Sequence, residues 1–531
     1  MGILNLISSG VAYAAYIFAS YLIVVSCYRL FFHPLRKYPG PLFAKLSDGY
    51  AGFFAVLKCL HLVTRDNLLK YGPVVRLGPN KLVFNSSKAL HDIYDNERVV
   101  KAGNYAVTMQ APNVYNILNV TDREQHRIKR KLIGQAITER AMRNFEPTMM
   151  KQIDIFIGQI LSSSRAPETQ PVNITEYTRR LGIDVVSLLA FGHALNTQTD
   201  PNYRFVLDGI NASTYFQNNQ MQFPLLKQLR LNFLLAMIGS VRQRRIRYRA
   251  MLERMIADRI AEGKNIKHDL YSIVTDQLGS DAPGGLQASG LWSEAVFFLP
   301  AGGDTTATTI SALFFYLSRN PKSYMKLARE IRDTFTSSLE IKGGPQLAGC
   351  SYLRACIDEA LRLCPPVPGT LWRELSKTDD GTKPFIVDGH IIPRGTYVGV
   401  SAYALHHNEE YFPDPFAYKP ERWLSSETPE AQRKAARDAF ASFSIGYRGC
   451  AGKAMAYLES SLVMAKTLWY FDFEMAPGEL GKAGAGCRGR TDKRDREDEF
   501  QLYDIFGSSH DGPNLVFQTR DTCKELSGSG L

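Results

Sequence analysis

The sequence predicts a mainly α-helical chain with small β-sheets, preceded by one N-terminal transmembrane helix. Residues 295–320 and 453–470 read as long helices rich in apolar side chains, and segments near the C-terminus resemble β-hairpins. The first 28 residues contain no Asp, Glu, Lys or Arg. Because the 531 residues show no internal repeat and no long linker, we expect one large domain after the apolar segment.

The apolar N-terminal segment is long enough to cross a bilayer. A cleaved signal peptide is the alternative, but the start carries no basic side chain and no convincing cleavage site follows. Basic residues instead follow the segment, which predicts a cytosolic C-terminal side: Arg29, Arg36 and Lys37. Prolines then stiffen the connection: Pro34, Pro39 and Pro41. The predicted division is an anchor helix over residues 1–30, a proline-rich hinge over 31–45 and the main domain over 46–531.

Charge and cysteine usage narrow the functional classes. The net charge is +11, and residues 242–249 form the densest basic run. No nucleic-acid motif accompanies this run, so we expect no nucleic-acid partner and a solvated helix near an anionic membrane surface. The eight cysteines are few for this length and scattered. Cys350, Cys356 and Cys364 lack zinc-site spacing, which indicates buried thiols, and the predicted topology agrees with a reducing compartment.

The most informative stretch is the loop FSIGYRGCAG, residues 443–452. Gly446 and Gly452 leave room for the backbone to approach a large flat group, and Arg448 places a cation two residues before Cys450. A helix follows at once, and the N-terminus of a helix favours a thiolate. These features suit a cysteinate that serves as axial ligand of haem iron. The alternative is a free buried cysteine before a core helix.

A second motif, AGGDTT over residues 301–306, lies inside the predicted helix of residues 295–320. Adjacent glycines cost about 1 kcal/mol each inside a helix, so they need a reason. Pro300 precedes the motif and predicts a kink. The alternative is a glycine-weakened core helix with a solvated Asp304.

Two further patterns pair charged residues on helix faces. Glu359 and Arg362 are three residues apart, and His126 and Arg130 are four apart. In isolation the first pair is a common surface spacing, and the second fits a basic solvated helix.

Taken together and in this order, the motifs resemble the cytochrome P-450 superfamily, closest to fungal microsomal members that act on benzoate-like or secondary-metabolite substrates. Phe443, Gly446, Arg448, Cys450 and Gly452 match every position of its haem-binding signature. The resemblance implies the P-450 fold, a haem-thiolate monooxygenase domain over residues 46–531 and haem b with Cys450 as the iron ligand.

The resemblance also assigns roles to the other motifs. Asp304 and Thr305 match the acid–alcohol pair that delivers protons during oxygen activation. Haem-propionate contacts are implied for three residues: His126, Arg130 and Arg373. A structural ion triad beneath the haem is implied for Glu359, Arg362 and Arg422. Trp423 stands where many members have phenylalanine, and His126 where many have tryptophan.

The implied function is insertion of one oxygen atom from O2 into an apolar small molecule. No dinucleotide-binding fingerprint is present, so NADPH would act through a separate cytochrome P-450 reductase, with cytochrome b5 as a further candidate partner. The alternative is an isomerase or dehydratase of the same fold without net oxygen insertion. The implied location is the endoplasmic reticulum membrane, single-pass, with the catalytic domain cytosolic. The sequons would then carry no sugar: Asn85, Asn119, Asn173 and Asn211.

Overall fold

A computed structural model describes residues 2–165, 170–228, 240–262, 269–272 and 289–521. The α-helices are α1 Gly2–Cys27, α2 Leu42–Leu46, α3 Gly49–Val56, α4 Leu60–Tyr71, α5 Ser87–Tyr94, α6 Arg123–Ala136, α7 Glu139–Ser164, α8 Ile174–Phe191, α9 Phe205–Gln222, α10 Leu225–Gln228, α11 Ser240–Ala261, α12 Gly290–Leu299, α13 Thr305–Arg319, α14 Pro321–Thr334, α15 Pro345–Ala348, α16 Ser351–Leu363, α17 Ala402–His406, α18 Glu430–Asp438 and α19 Lys453–Tyr470. Two π-helical turns, Tyr28–Phe32 and Pro300–Asp304, and several short 3-10 turns complete the helical part.

The strands are short and form small sheets. They are β1 Val74–Gly78, β2 Lys81–Phe84, β3 Val99–Lys101, β4 Val172–Asn173, β5 Arg373–Leu375, β6 Ile386–Val387, β7 His390–Ile391, β8 Tyr397–Val400, β9 Phe471–Met475, β10 Tyr503–Ile505, β11 Gly507–Ser509 and β12 Asn514–Thr519. The largest sheet has the order β1-β2-β8-β5-β3, with β2 and β8 parallel. A second sheet has the order β4-β12-β9, and β10–β11 and β6–β7 are hairpins. The mainly α-helical fold with small sheets is therefore confirmed.

The core is built around α13, which packs against α8, α16 and α19. Residues Thr306 to Leu317 of α13 are all buried, so this helix has no solvent face. A helix that is buried all round belongs in the middle of a large domain. Its end agrees with the prediction, because α13 stops at Arg319 and Pro321 opens α14.

A π-helical turn lies at Pro300, where the sequence predicts a kink. The helical segment from Gly290 to Arg319 is regular α-helix except at Pro300–Asp304, which lies between α12 and α13. Proline cannot donate the backbone hydrogen bond of a regular helix, and single π-turns mark functional sites in many helices. The motif predicted to be functional lies within this turn and the first residues of α13.

The N-terminal helix stands apart from this core. Among the described residues one helix, Ser8–Phe32, is long and apolar enough to cross a membrane, and none of its apolar window is buried in the protein. At its end, the carbonyl of Arg29 accepts a hydrogen bond of 2.9 Å from Arg76 in β1. The predicted hinge, residues 31–45, runs from the last π-turn residues into α2.

Candidate active site

Cys450 lies in a tight loop between the 3-10 turn Gly446–Arg448 and the N-terminus of α19. Its backbone N–H donates to the carbonyl of Phe443 at 2.8 Å, which closes the loop. Gly446 has φ +69°, and a Cβ there would lie 2.2 Å from the carbonyl oxygen of Tyr94, so only glycine fits. The loop therefore holds the sulfur in one position.

The Cys450 side chain is accessible but surrounded by protein atoms. Burial raises the pKa of its thiol, while the Gly452 N–H, Arg130 and Lys453 oppose that shift. Because the side chain of Cys450 is accessible and yet has mostly protein atoms around it, it lies in a cleft. Such a thiol is placed to ligate a group that enters the cleft, and the bound metal would then keep it deprotonated.

Four cationic or basic side chains gather beside this loop: Lys101, His126, Arg373 and Arg448, each at most 8% exposed. In the described part of the chain none of them lies within 4 Å of a carboxylate, and Nε of Arg448 has no hydrogen-bond partner. Burial, followed by the charges of Arg448 and Lys101, lowers the pKa of His126 to about 3. Buried cations without counter-ions are costly, so this cluster is built for an anion.

The donor set fits the two propionates of haem b. Arg448 is fixed by hydrogen bonds of 2.8 Å to the carbonyls of Val120 and Thr121, which leaves its Nε free. Lys101 donates to the carbonyls of Ile117 and Leu118 at 2.9 and 2.6 Å. The sequence did not single out Lys101, because a lysine at the end of strand β3 carries no motif. Its position in an otherwise apolar stretch was the only signal.

Arg130 holds the cysteine loop directly. Its guanidinium donates to the carbonyls of Gly449 at 2.8 Å and Cys450 at 3.4 Å, and so ties α6 to the loop. Its predicted propionate contact stays a prediction. His126, four residues earlier on the same face, lies with its ring edge-on to Tyr447 at 5.7 Å between centroids.

The glycine pair of the π-turn lets two helices approach closely. A Cβ on Gly302 would lie 2.5 Å from Val186, and one on Gly303 would lie 2.6 Å from Ile183, both on α8. This packing supplies the reason for two costly adjacent glycines. Thr305 begins α13, and its hydroxyl donates to the carbonyl of Ala301 at 2.7 Å.

Asp304 is oriented by α8 rather than by Thr305. Its Oδ1 accepts a hydrogen bond of 3.1 Å from Nε of Arg179, and Arg179 also donates to the carbonyl of Leu207 at 2.9 Å. Burial raises the pKa of Asp304, and the charge of Arg179 offsets only part of that rise. Because its pKa is raised, the carboxyl group of Asp304 takes up a proton at a higher pH than an exposed aspartate does.

Glu359, Arg362 and Arg422 form one buried cluster, as the resemblance implied. Glu359 Oε1 accepts from Nη2 of Arg362 at 2.9 Å and from Nε of Arg422 at 3.0 Å. Trp423, which departs from the usual phenylalanine, donates its indole N–H to Oε2 at 2.9 Å. The substitution therefore adds a hydrogen bond to the cluster.

The cluster reaches the cysteine loop through His406, which the sequence did not single out. Arg362 donates to the carbonyl of His406 at 2.8 Å. The His406 ring contacts the carbonyl of Arg362 at 2.9 Å and the backbone N–H of Ala441 at 2.8 Å. Since the Ala441 N–H must donate, Nε2 accepts and Nδ1 carries the proton. This chain fixes the segment that leads into Phe443.

Comparisons with known proteins agree with this geometry. The family model described as cytochrome P-450 matches residues 49–482. The cytochrome P-450 monooxygenase apf7 of Gibberella fujikuroi is 32% identical over 518 residues, which cover 94% of this chain and 96% of the relative. The cytochrome P-450 monooxygenase AKT7 of Alternaria alternata is 33% identical over 512 residues, 94% of this chain and 95% of the relative. The trichothecene C-15 hydroxylase of Fusarium sporotrichioides is 30% identical over 476 residues, 86% of this chain and 91% of the relative.

The match covers most of the chain. It includes the cysteine loop, the π-turn motif and all four residues of the buried cation cluster. The relatives match it over nearly their whole length. The chain therefore belongs to the cytochrome P-450 family and is a monooxygenase of the fungal type, in which a cysteine-ligated haem b receives electrons from NADPH through a reductase.

Proposed function

We propose that this monooxygenase inserts one oxygen atom from O2 into an apolar small molecule of secondary metabolism, with a specific substrate that its relatives do not define. The second oxygen atom leaves as water, and NADPH supplies the two electrons through the reductase. The acid–alcohol pair Asp304–Thr305, at the junction of the π-turn and α13, carries the proposal, because an isomerase or dehydratase of this fold would have no need of protons for oxygen cleavage. One relative is named a hydroxylase, which supports the same reaction class.

Each residue of the site has one task in this reaction. When bound, the thiolate-ligated haem activates dioxygen. Cys450 supplies the ligand. Arg373 and Arg448 balance the charge of the propionates, and Lys101 and the neutral His126 orient them as hydrogen-bond donors. Thr305 holds a hydroxyl proton at the start of α13, and Asp304, whose carboxyl group is oriented by Arg179 of α8, relays protons that come from solvent toward it.

Replacing Thr305 by alanine should uncouple the enzyme while haem binding persists. We expect product formed per NADPH to fall by roughly 10²-fold and hydrogen peroxide release to rise, because a positioned proton donor contributes about 10²–10⁴-fold. The measurement compares NADPH consumed, product formed and peroxide released, and the reduced-CO spectrum should not change.

Thr309→Ala is the matched control. Thr309 lies one turn later on α13, and its hydroxyl donates to the carbonyl of Thr305 at 3.0 Å, the same local bond that Thr305 makes to Ala301. Coupling should stay at the wild-type level in this variant. Turnover that is unaffected in both variants, or that proceeds without NADPH and O2, would favour the isomerase or dehydratase alternative.

For the redox partner we propose docking near α6. Arg127 and Lys131 are exposed there, although Arg127 forms a surface ion pair with Glu124 at 2.6 Å. Lys129 pairs with the buried Glu294 at 2.9 Å and is not free to contact a partner. An acidic flavin domain would be steered by such exposed cations, and cytochrome b5 would use the same charge complementarity.

We also propose that the chain is a single-pass protein of the endoplasmic reticulum membrane, with an anchor over 1–30, a hinge over 31–45 and a cytosolic domain over 46–531. The exposed apolar helix and the basic residues that follow it support this topology. The amide of Asn119, one of the sequons, is fully buried and donates to Thr108 at 3.1 Å, so the folded domain cannot present it for glycosylation.

Deleting residues 1–28 should release a domain that still binds haem, because the deletion leaves Arg29 and its contact with Arg76 in place. The full-length protein should resist alkaline extraction from microsomes and should show no mass change with glycosidase. A glycosidase-sensitive mass would reverse the proposed topology.

A further inference from the structure

Glu294 is a buried carboxylate near the start of α12 that joins separate parts of the chain. It is 1% exposed, and its Oε1 accepts a hydrogen bond of 2.9 Å from Nζ of Lys129 on α6. Its Oε2 accepts from the backbone N–H of Ile117 at 3.1 Å. In the described part of the chain, Lys129 is the one cation within 4 Å of Glu294. Two apolar side chains of similar volume often stabilise a core as well as a buried ion pair, so packing alone does not explain this pair.

The backbone of Ile117 connects Glu294 with Lys101. Its N–H donates to Glu294, and its carbonyl accepts from Nζ of Lys101 at 2.9 Å. The carbonyl of Leu118 accepts from the same Nζ at 2.6 Å. One residue of the chain therefore carries a continuous connection from α12 to the end of β3.

The segment 116–119 around Ile117 is closed by its own hydrogen bonds and fastened to α12. Oδ1 of Asn116 accepts from the backbone N–H groups of Leu118 and Asn119 at 3.1 and 3.0 Å, and Oδ1 of Asn119 accepts from the N–H of Asn116 at 2.8 Å. The amide of Asn116 also donates to the carbonyl of Ser293 at 3.0 Å. Because the segment is held in this way, α12 and the carbonyls that bind Lys101 keep one relative position.

Lys101 has one hydrogen left over from this arrangement. A protonated amine has three N–H groups, and two of them are taken by carbonyls of the segment 116–119. Burial and the charges of Arg373 and Arg448 lower the pKa of Lys101, whereas the charge of Glu294 opposes that shift. Since the neutral amine has only two N–H groups, Glu294 favours the form of Lys101 that offers a third donor inside the cation cluster.

We propose that the Lys129–Glu294 pair positions haem: acting through Ile117, it directs the third N–H of Lys101 to a propionate and so slows the loss of the cofactor. This inference rests on the proposed function, in which Lys101 orients a propionate. Lys129 and Glu294 are positioning residues, because they act through Ile117 and Lys101 rather than on the propionate itself.

The test measures the rate at which the full-length haem protein loses haem to an excess of apomyoglobin, followed by absorbance. Lys101→Met and Glu294→Gln should each speed this loss by roughly tenfold, since hydrogen bonds to charged groups are among the stronger ones. The double variant should lose haem at the rate of Lys101→Met alone. Residues that act through one another are not additive, whereas two independent effects would multiply.

Two substitutions of Lys129 repeat the test from the other side of the pair, in case Glu294→Gln folds poorly. Lys129→Gln should speed haem loss as Glu294→Gln does, and Lys129→Arg should keep the slow rate because it retains the charge. Glu97→Gln is the matched control. Glu97 precedes β3 and pairs with Arg123 of α6 at 2.8 Å, but the two side chains are 73% and 53% exposed, so its loss should leave the rate unchanged.

A wild-type rate of haem loss in Glu294→Gln or in Lys129→Gln would overturn the proposal. So would a roughly hundredfold faster loss in the double variant, which is what an independent, merely structural role of Glu294 predicts. Product formation that depends on NADPH and O2 tests the monooxygenase separately. A wild type that forms no oxygenated product but shows the expected pattern of haem loss would contradict the proposed function and leave the positioning role standing.

Discussion

Replacing Cys450 by serine should abolish turnover and remove the red-shifted Soret band of the reduced CO complex. The thiolate is the source of that band and of the electron density that favours oxygen cleavage. A serine hydroxyl fits the same loop, whose shape is fixed by the Cys450 N–H bond to Phe443 and by Gly446. We therefore expect a folded protein with a haem spectrum that lacks the thiolate signature, measured by CO difference spectroscopy and NADPH-dependent product formation.

Cys487→Ser is the control for this change. Cys487 is also a free, accessible cysteine, but it lies in the loop after the 3-10 turn Gly478–Lys482, away from the cysteine loop. Its replacement should leave both the band and the activity intact. A Cys450→Ser protein that kept the band would mean that another group ligates the iron.

The cysteine loop could be predicted from the sequence because its information is contiguous. Glycine positions, an arginine and a following helix lie within about ten residues, and the local backbone places the sulfur. The order of the long helices was predictable for a similar reason, since α13 and α19 are continuous apolar stretches that end at proline or at a strand.

The partners of these residues could not be predicted, because each comes from a distant segment. Arg179 on α8 reaches Asp304, and Lys101 at the end of β3 joins the cation cluster beside Arg448. His406 links the Arg362 cluster to the cysteine loop. Nothing in their local sequence distinguishes them from ordinary surface or core residues.

Helix α9 shows the same limit. Asn218 and Gln222 are four residues apart on it, so they share one face, and that face lines a small cavity. The amide of Asn218 contacts Asp504, almost three hundred residues later, and no pattern within the helix could reveal that partner.

Replacing Glu359 by glutamine should cost about 3–5 kcal/mol of folding free energy, the range for removing one partner of a buried ion pair. Its carboxylate accepts bonds from Arg362, Arg422, Trp423 and the backbone N–H of Lys419. Glutamine has one acceptor oxygen in place of two. Its NH2 group would therefore face N–H groups that now donate to the carboxylate. Arg362 is fully buried and Arg422 is 7% exposed, so their charges would lose compensation inside the protein.

Because native domains are stable by only about 5–15 kcal/mol, such a loss should lower the yield of haem-bearing protein and the unfolding temperature. Glu427→Gln is the matched control. Glu427 pairs with Lys326 at 2.9 Å, but both side chains are 44% exposed, so its loss should cost under about 1 kcal/mol. Thermal unfolding of both variants, followed by haem absorbance, separates the two cases. Equal stability would show that the cluster is dispensable.

The same cluster predicts an acid dependence with a defined sign. Burial alone would raise the pKa of Glu359, but Arg362 and Arg422 more than offset it, so the pKa lies below the usual 4.5. A carboxylate with a lowered pKa in the folded state contributes stability that is fully present above its unfolded pKa. That contribution should be lost as the pH falls below about 4.5 through the lower folded pKa, and Glu359→Gln should lack this part of the acid transition.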